Sequence, residues 1–145
     1  MAKDGKDLVL FVCIENSSRS QMAEGFAQSL GMNALSAGTV PAVHLNALVV
    51  QAMHEKGIDI SKKRPRGITP ELVEEAKLVV LTDASLEKSL EKGVLKKMRK
   101  KLVSWSIPDP QGKSIEEIRW VRDEIERMVN ELSKSSAATN PRNDR

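Results

Sequence analysis

The chain holds one cysteine, Cys13, and six residues further on an arginine, Arg19, followed by Ser20. The segment between them, Ile14-Glu15-Asn16-Ser17-Ser18, is long enough to wrap the backbone amides of Ile14 to Arg19 around one tetrahedral anion where a helix begins. The amino end of a helix carries unpaired N–H groups and partial positive charge, so phosphate binding there follows from the backbone alone. Arg19 adds a planar fork of donors that grips two phosphate oxygens and keeps its charge throughout a reaction. The same field acts on sulfur, because a thiol facing a helix start and a guanidinium is favoured as the thiolate, its nucleophilic form. Ser20 can donate its hydroxyl to that sulfur. The candidate phosphate-binding set is therefore Ile14, Glu15, Asn16, Ser17, Ser18, Arg19 and Ser20, with Cys13 as the nucleophile. The competing reading of Cys13 is a small buried hydrophobe at a strand end. A cysteine and an arginine at this spacing recur by chance, so the weight falls on the flanking elements.

Those elements suit the task. Leu8-Val9-Leu10-Phe11-Val12 is a short apolar run that reads as a strand buried on both faces, leading straight into the polar loop. Ser17-Ser18 offer a helix cap, and Met22, Ala23, Phe26, Ala27 and Leu30 recur at helical spacing up to Gly31, a C-terminal stop. Ala34 to Ala37 reads as a second strand ending at Gly38. Pro41 sits where a helix can begin, ahead of Val43, Ala47, Val50 and Met53, and Gly57 closes it. Thr69-Pro70-Glu71 predicts a cap with proline at the first position of a short helix to Ala76. Leu78 to Leu81 is a third strand, Leu86 to Met98 a helix with a basic end, and Leu102 to Trp105 a fourth strand. After the loop Ser106 to Lys113, Ser114 begins the last helix with Glu117 completing a capping box, and Ile118, Val121, Ile125, Met128, Val129 and Leu132 line its apolar face.

Strands alternating with helices imply an α/β fold: a four-stranded parallel sheet with helices on both faces and a phosphate-binding loop after the first strand. Such sheets place binding sites in the loops beyond the carboxyl ends of their strands. Cys13 and Asp109 both occupy such positions, and nothing in a single sequence makes their two loops neighbours. With 145 residues and 40% hydrophobic content, one core is expected over residues 1–132, followed by a polar, disordered tail over residues 133–145. The formal charge of +3 is spread along the chain, and low aromatic content argues against base stacking, so no nucleic-acid partner is expected. The absence of a long apolar stretch and the polar start from Met1 to Asp7 predict neither membrane span nor signal peptide, hence a cytoplasmic protein. One cysteine excludes an internal disulfide and a metal cage of several thiolates.

The segments VCIENSSRSQMAEGFA, SAGT at Ser36 to Thr39, EKGIDIS at Glu55 to Ser61 and IPDPQG in the late loop together resemble the superfamily of low-molecular-weight protein tyrosine phosphatases and the thioredoxin-coupled arsenate reductases of the same fold. The resemblance implies that Cys13 is the nucleophile, that Arg19 and the loop amides bind the oxyanion, and that Asp109 is the general acid. The implied reaction hydrolyses a phosphorylated protein or a small phosphomonoester through a thiophosphate on Cys13, with no metal or cofactor. The alternative it carries is arsenate reduction with an external thiol, thioredoxin or a low-molecular-weight thiol. A bifunctional enzyme, or an oxyanion-binding module without turnover, completes the set. Asn16 and Glu24 match positions that support the loop in the family.

The chain departs from the family in four places. Glu15 stands where glycine is usual, which either turns a carboxylate into solvent or selects substrates with a cation beside the phosphate. Ser18 replaces a common second cysteine. Gln111 replaces an aromatic residue after the Asp-Pro pair, and the segment TDASLEKSL after the third strand lacks the cysteines of the reductase relay. His44 and His54 fall in the expected second helix without partners at a motif spacing. The basic runs around Lys62 and Lys96 read as solvated faces that can steer anions, and Trp105 and Trp120 as core or boundary residues.

Overall fold

The structure, a computed structural model, describes residues 7–139. The four apolar runs become β1 (Val9–Cys13), β2 (Ala34–Gly38), β3 (Leu78–Leu81) and β4 (Leu102–Ser104), in the sheet order β2-β1-β3-β4. The helices are α1 (Arg19–Ser29), α2 (Ala47–His54), α3 (Pro70–Glu75), α4 (Lys92–Met98) and α5 (Ile115–Thr139). All three strand pairs are parallel, with Phe11 in register between Ser36 and Val80. The expected four-stranded parallel sheet with two helical layers is what the chain forms.

Strand β1 is central, so its alternating side chains enter two different cores. Val9 and Phe11 pack with Met22, Phe26, Met53, Ile118 and Ile125, while Leu8, Leu10 and Val12 pack with Val73, Leu86, Val94 and Met98. Phe11 and Leu10 are wholly shut off from water, and burying each contributes about 2 kcal/mol. A strand held on both faces and both edges presents its last residue, Cys13, with little freedom. The chain leaves β1 toward β2 on one side, whereas β3 and β4 build outward on the other. At such a switch point the following loops diverge and leave a crevice beyond the carboxyl ends; Cys13 lies at its floor.

Several local signals act as their chemistry dictates. Thr69 accepts from the Leu72 N–H with Pro70 at the first helical position. Ser114 and Glu117 form a reciprocal box, the Ser114 N–H donating to Glu117 Oε1 at 3.1 Å and the Glu117 N–H donating to Ser114 Oγ at 3.2 Å. Ser18 does precede α1, but its hydroxyl makes no capping bond.

Four expectations are corrected. The second helix starts at Ala47 behind an Asn46 cap, not at Pro41, because the segment before it is engaged by the Cys13 loop; His44 therefore lies outside the helix and His54 ends it. The helix expected over Leu86 to Met98 splits: Asp83 caps a 3-10 turn over Ala84–Ser89, Leu90 returns to extended backbone, and α4 begins only at Lys92. Hydrogen bonding of the Ala84 N–H to the Trp105 carbonyl at 3.0 Å pins that turn, and Gly93 weakens helix propagation toward it. The last helix passes Leu132 and continues to Thr139, so the segment from Ser133 is helical rather than disordered. No glycine or proline interrupts residues 115–139, and extending an existing helix costs little; residues 140–145 of the expected tail lie outside the described ones. Trp105 packs on Phe11 with ring centroids 5.8 Å apart, whereas Trp120 is 61% exposed on α5 and belongs to no core.

Helices α2 and α5 are clamped by ions. Glu55 accepts from Arg119 Nη2 at 2.7 Å and from Arg122 Nη1 at 2.8 Å, and Arg122 Nη1 also donates to the Ala52 carbonyl at 3.0 Å. The Arg119 hydrogen bond, with Arg122 adding to it, lowers the Glu55 carboxyl from 4.5 to about 2. A depressed carboxyl contributes stability above its ordinary value and loses it as pH falls through the folded one. The melting-temperature gap between wild type and Glu55→Gln is therefore expected to narrow from pH 4.5 downward and to close near pH 2. Thermal melts across that range check it, and a gap undiminished at the acid end contradicts the pairing.

Candidate active site

The cradle after β1 is shaped from outside. The carbonyls of Cys13, Ile14, Glu15 and Ser17 accept from the N–H groups of Thr39 (3.1 Å), Val40 (2.7 Å), Ala42 (2.9 Å) and Asn46 (3.1 Å). In a trans peptide the C=O and the next N–H point opposite ways. Drawing four carbonyls outward therefore turns the amides of Ile14, Glu15, Asn16 and Ser18 inward. Asn16 shows the outcome, since its N–H donates to Cys13 Sγ at 3.2 Å. The same bonds hold the segment before α2 against the loop, the donors of Thr39, Val40, Ala42 and Asn46 being committed to it.

Asn16 takes the left-handed backbone, with φ of 54°, which asparagine tolerates better than most residues. Its buried amide bonds in four directions. Nδ2 donates to Ser20 Oγ at 2.7 Å and Ser36 Oγ at 2.9 Å, while Oδ1 accepts from Gln21 Nε2 at 3.1 Å and the Arg66 N–H at 2.8 Å. Ser20 Oγ lies 2.8 Å from Cys13 Sγ. Ser36 passes the network on, donating to Glu24 Oε1 at 2.7 Å, and Lys63 closes it with Nζ 2.5 Å from Glu24 Oε2. Glu24 is thus a buried, paired carboxylate in the scaffold behind the loop, and Lys63 its counter-ion rather than a merely solvated charge.

Cys13, Ile14, Glu15, Ser17, Ser18, Arg19 and Asp109 line one small depression. Of the expected anion-binding set, Asn16 and Ser20 stand behind this lining, where they hold the loop and the sulfur. Arg19 is buried and tightly oriented: Nη1 donates to the Ile107 carbonyl at 2.8 Å and lies 3.5 Å from Asp83 Oδ2, while Nη2 lies 3.9 Å from Asp109 Oδ2. Asp109 sits at the mouth with its side chain 49% exposed, its Oδ1 accepting from the Gln111 N–H at 3.0 Å. The two loops that the sequence leaves unconnected are joined through Arg19.

Asp83 is the residue that reading the sequence missed. It follows β3, the neighbour of β1, and the rule that singled out Asp109 as lying beyond a strand end applies to it equally. The Ser85 backbone N–H, and after it the Ser85 hydroxyl and Arg19, hold the Asp83 carboxyl below the usual carboxylate range, against partial burial. It is an ionised partner for Arg19. A cation braced by the Asp83 carboxylate and the Ile107 carbonyl, with the Asp109 carboxyl group 3.9 Å away, beside a sulfur that receives an N–H, can bind a tetrahedral oxyanion and present it to a nucleophile.

Gly38 is demanded by this geometry. A Cβ there would lie 2.5 Å from the Ile14 carbonyl oxygen and 2.9 Å from the Asn16 nitrogen, both main-chain atoms of the loop. Gly38→Ala is therefore expected to cost about 2 kcal/mol of stability by overpacking and to weaken binding of inorganic phosphate, as melting and calorimetry would show. Unchanged values for both would mean that the loop yields without consequence.

The sequence pattern described as "Low molecular weight phosphotyrosine protein phosphatase" matches residues 8–141. Among characterised relatives, an arsenate reductase of Staphylococcus aureus is 37% identical over 126 residues, covering 83% of this chain and 91% of that protein. An arsenate reductase of Bacillus licheniformis is 35% identical over 139 residues, covering 90% and 97%. Among solved structures, the YwlE arginine phosphatase, in a mutant form with a phosphorylated active-site serine, superposes with a TM-score of 0.85 at 25% identity, covering 92% of this chain and 98% of that one. The resemblance drawn from the motifs is borne out, as is the fold class. In the described residues no helix is long and apolar enough to cross a membrane.

Proposed function

The chain belongs to the low-molecular-weight phosphotyrosine protein phosphatase family, and from that premise we propose that it hydrolyses phosphorylated protein side chains or small phosphomonoesters through a covalent intermediate on Cys13. The observation that carries the reading is the gathering of Cys13, Arg19 and Asp109 around one depression. Cys13 Sγ attacks phosphorus in line, forming the S–P bond as the P–O bond to the leaving group breaks. Asp109 gives its proton to the departing oxygen, so that no free alkoxide or phenoxide is expelled. Water then attacks the thiophosphate and loses a proton to the Asp109 carboxylate, which releases phosphate and restores the sulfur. Arg19 and the inward amides hold the equatorial oxygens throughout. A reducing, cytoplasmic setting goes with this chemistry, because the nucleophile has to stay a free thiol.

A second reading, arsenate reduction, is favoured by the two reductase relatives. Arsenate has the shape and charge of phosphate, so the same cradle would receive it. An outside thiol then attacks Cys13 Sγ in the arsenylated enzyme; the S–As electron pair goes to arsenic, arsenite leaves, and a mixed disulfide remains. With one cysteine in the chain, every further sulfur comes from thioredoxin or a small thiol.

Turnover of an aryl phosphate, measured beside reductant consumption with arsenate and a thioredoxin or glutathione system, separates the two. Hydrolysis without arsenate-dependent consumption supports the first reading, and the reverse supports the second. Asp109→Asn adds a sharper test: hydrolysis of phenyl phosphate should fall by about a hundredfold or more, and that of a nitrophenyl ester, whose anion leaves unaided, by much less. Equal losses would remove Asp109 from the acid's role.

A further inference from the structure

We infer that Glu15 makes this site selective for phosphoryl groups with a positive charge beside phosphorus, a phosphorylated guanidine on a protein being the simplest case. The inference rests on the phosphatase reading above and names its substrate class. Glu15 lines the same depression as Cys13 and Arg19, half-buried, with Ser17 Oγ 3.5 Å from its Oε1. Its carbonyl is tied to the Ala42 N–H at 2.9 Å, so the backbone that carries the carboxylate cannot swing away from the rim.

The charges around the depression are unusual for an anion site. Among the described residues Arg19 is the one cation in its lining, and it already faces Asp109 at 3.9 Å and Asp83 at 3.5 Å. A phosphoryl dianion therefore meets the carboxylate of Glu15 with the inward amides and one guanidinium, itself shared with Asp83 and Asp109, to offset it. A substrate whose next group is neutral bears that repulsion uncompensated; one whose next group is a guanidinium converts Glu15 from an opponent into a partner. The walls point the same way. Among the described residues no aromatic ring lines the depression, and the exposed apolar side chain in its lining is aliphatic, Ile14 at 39% exposure. Aliphatic side chains flank the methylene stem of a phosphorylated arginine as readily as any group, but they give a phenyl ring no stacking partner.

The reaction balances without a further reagent. Cys13 Sγ forms the S–P bond as the P–N bond breaks, Asp109 places its proton on the departing nitrogen, and the leaving group departs as a guanidinium. Water then hydrolyses the thiophosphate as before.

The test compares two peptides of one sequence, carrying N-phosphoarginine or O-phosphotyrosine, with phosphate release as the readout for wild type, Glu15→Gln and Glu15→Gly. Loss of the carboxylate should lower kcat/KM for the phosphoarginine peptide by about tenfold and raise it for the phosphotyrosine peptide. Both values moving in the same direction, or a ratio that does not change, would overturn the inference while leaving the phosphatase reading intact. Hydrolysis of neither peptide, nor of an aryl phosphate, by the wild type would overturn both.

Discussion

Cys13→Ser is expected to abolish turnover, by at least about 10⁴-fold, while leaving the fold in place. The exchange of sulfur for oxygen keeps a small polar atom at the end of β1, where Ser20 Oγ and the Asn16 N–H can still reach it. Packing around β1 is set by Leu10, Phe11 and Val12, which are untouched. Stability should therefore stay within about 1 kcal/mol of wild type. What vanishes is nucleophilicity, since a serine hydroxyl needs a general base and, among the described residues, no histidine lies in the lining to act as one. Inorganic phosphate should still bind, because the exchange leaves Arg19 and the loop amides in place. Rates, melting curves and calorimetry on the same preparation give three readouts. Retention of a tenth or more of the activity, with aryl phosphate or with arsenate, would end the covalent account in both of its forms.

Arg19→Lys is the second large effect, a loss on the order of 10³-fold in kcat/KM. Lysine keeps the charge, so the variant isolates geometry. The guanidinium does three things at once: it donates to the Ile107 carbonyl, meets Asp83 and approaches Asp109. A single ammonium cannot span those partners and also offer paired donors to a phosphoryl group. The Ile107 bond is part of what holds the loop that carries Asp109, so the acid should be misplaced as well, and the penalty should be larger for poor leaving groups than for good ones. Stability should change less than activity, because Asp83 is partly exposed and water can take over its charge. If Arg19→Lys retained full activity, charge alone would suffice and the braced geometry would have no catalytic meaning.

The features legible in the sequence and those hidden from it differ by chain separation. The cradle from Cys13 to Arg19 could be read because its donors, its sulfur and its cation are consecutive, and because a buried strand and an amphipathic helix flank it. Asp83 and the segment from Thr39 to Asn46 could not, although both shape the site. Asp83 looks like an ordinary helix-capping residue until β3 is known to lie beside β1. Pro41 and the apolar residues after it carry a sound helix-start signal, which loses to hydrogen bonds with a loop some 25 residues earlier. Glu24 is matched by the family resemblance to a position that supports the loop, but its partners Ser36 and Lys63 lie 12 and 39 residues away and are seen only in the fold.

By itself, then, the sequence determined the alternation of strands and helices, the contiguous cradle from Cys13 to Arg19 and the family, because each is encoded in local periodicity or in contiguous residues. The tertiary structure alone decided which carboxylates face Arg19, which way the loop's peptides turn and where the second helix begins. Those depend on strand order and on hydrogen bonds between segments far apart in the chain, and no local pattern of side chains carries that information.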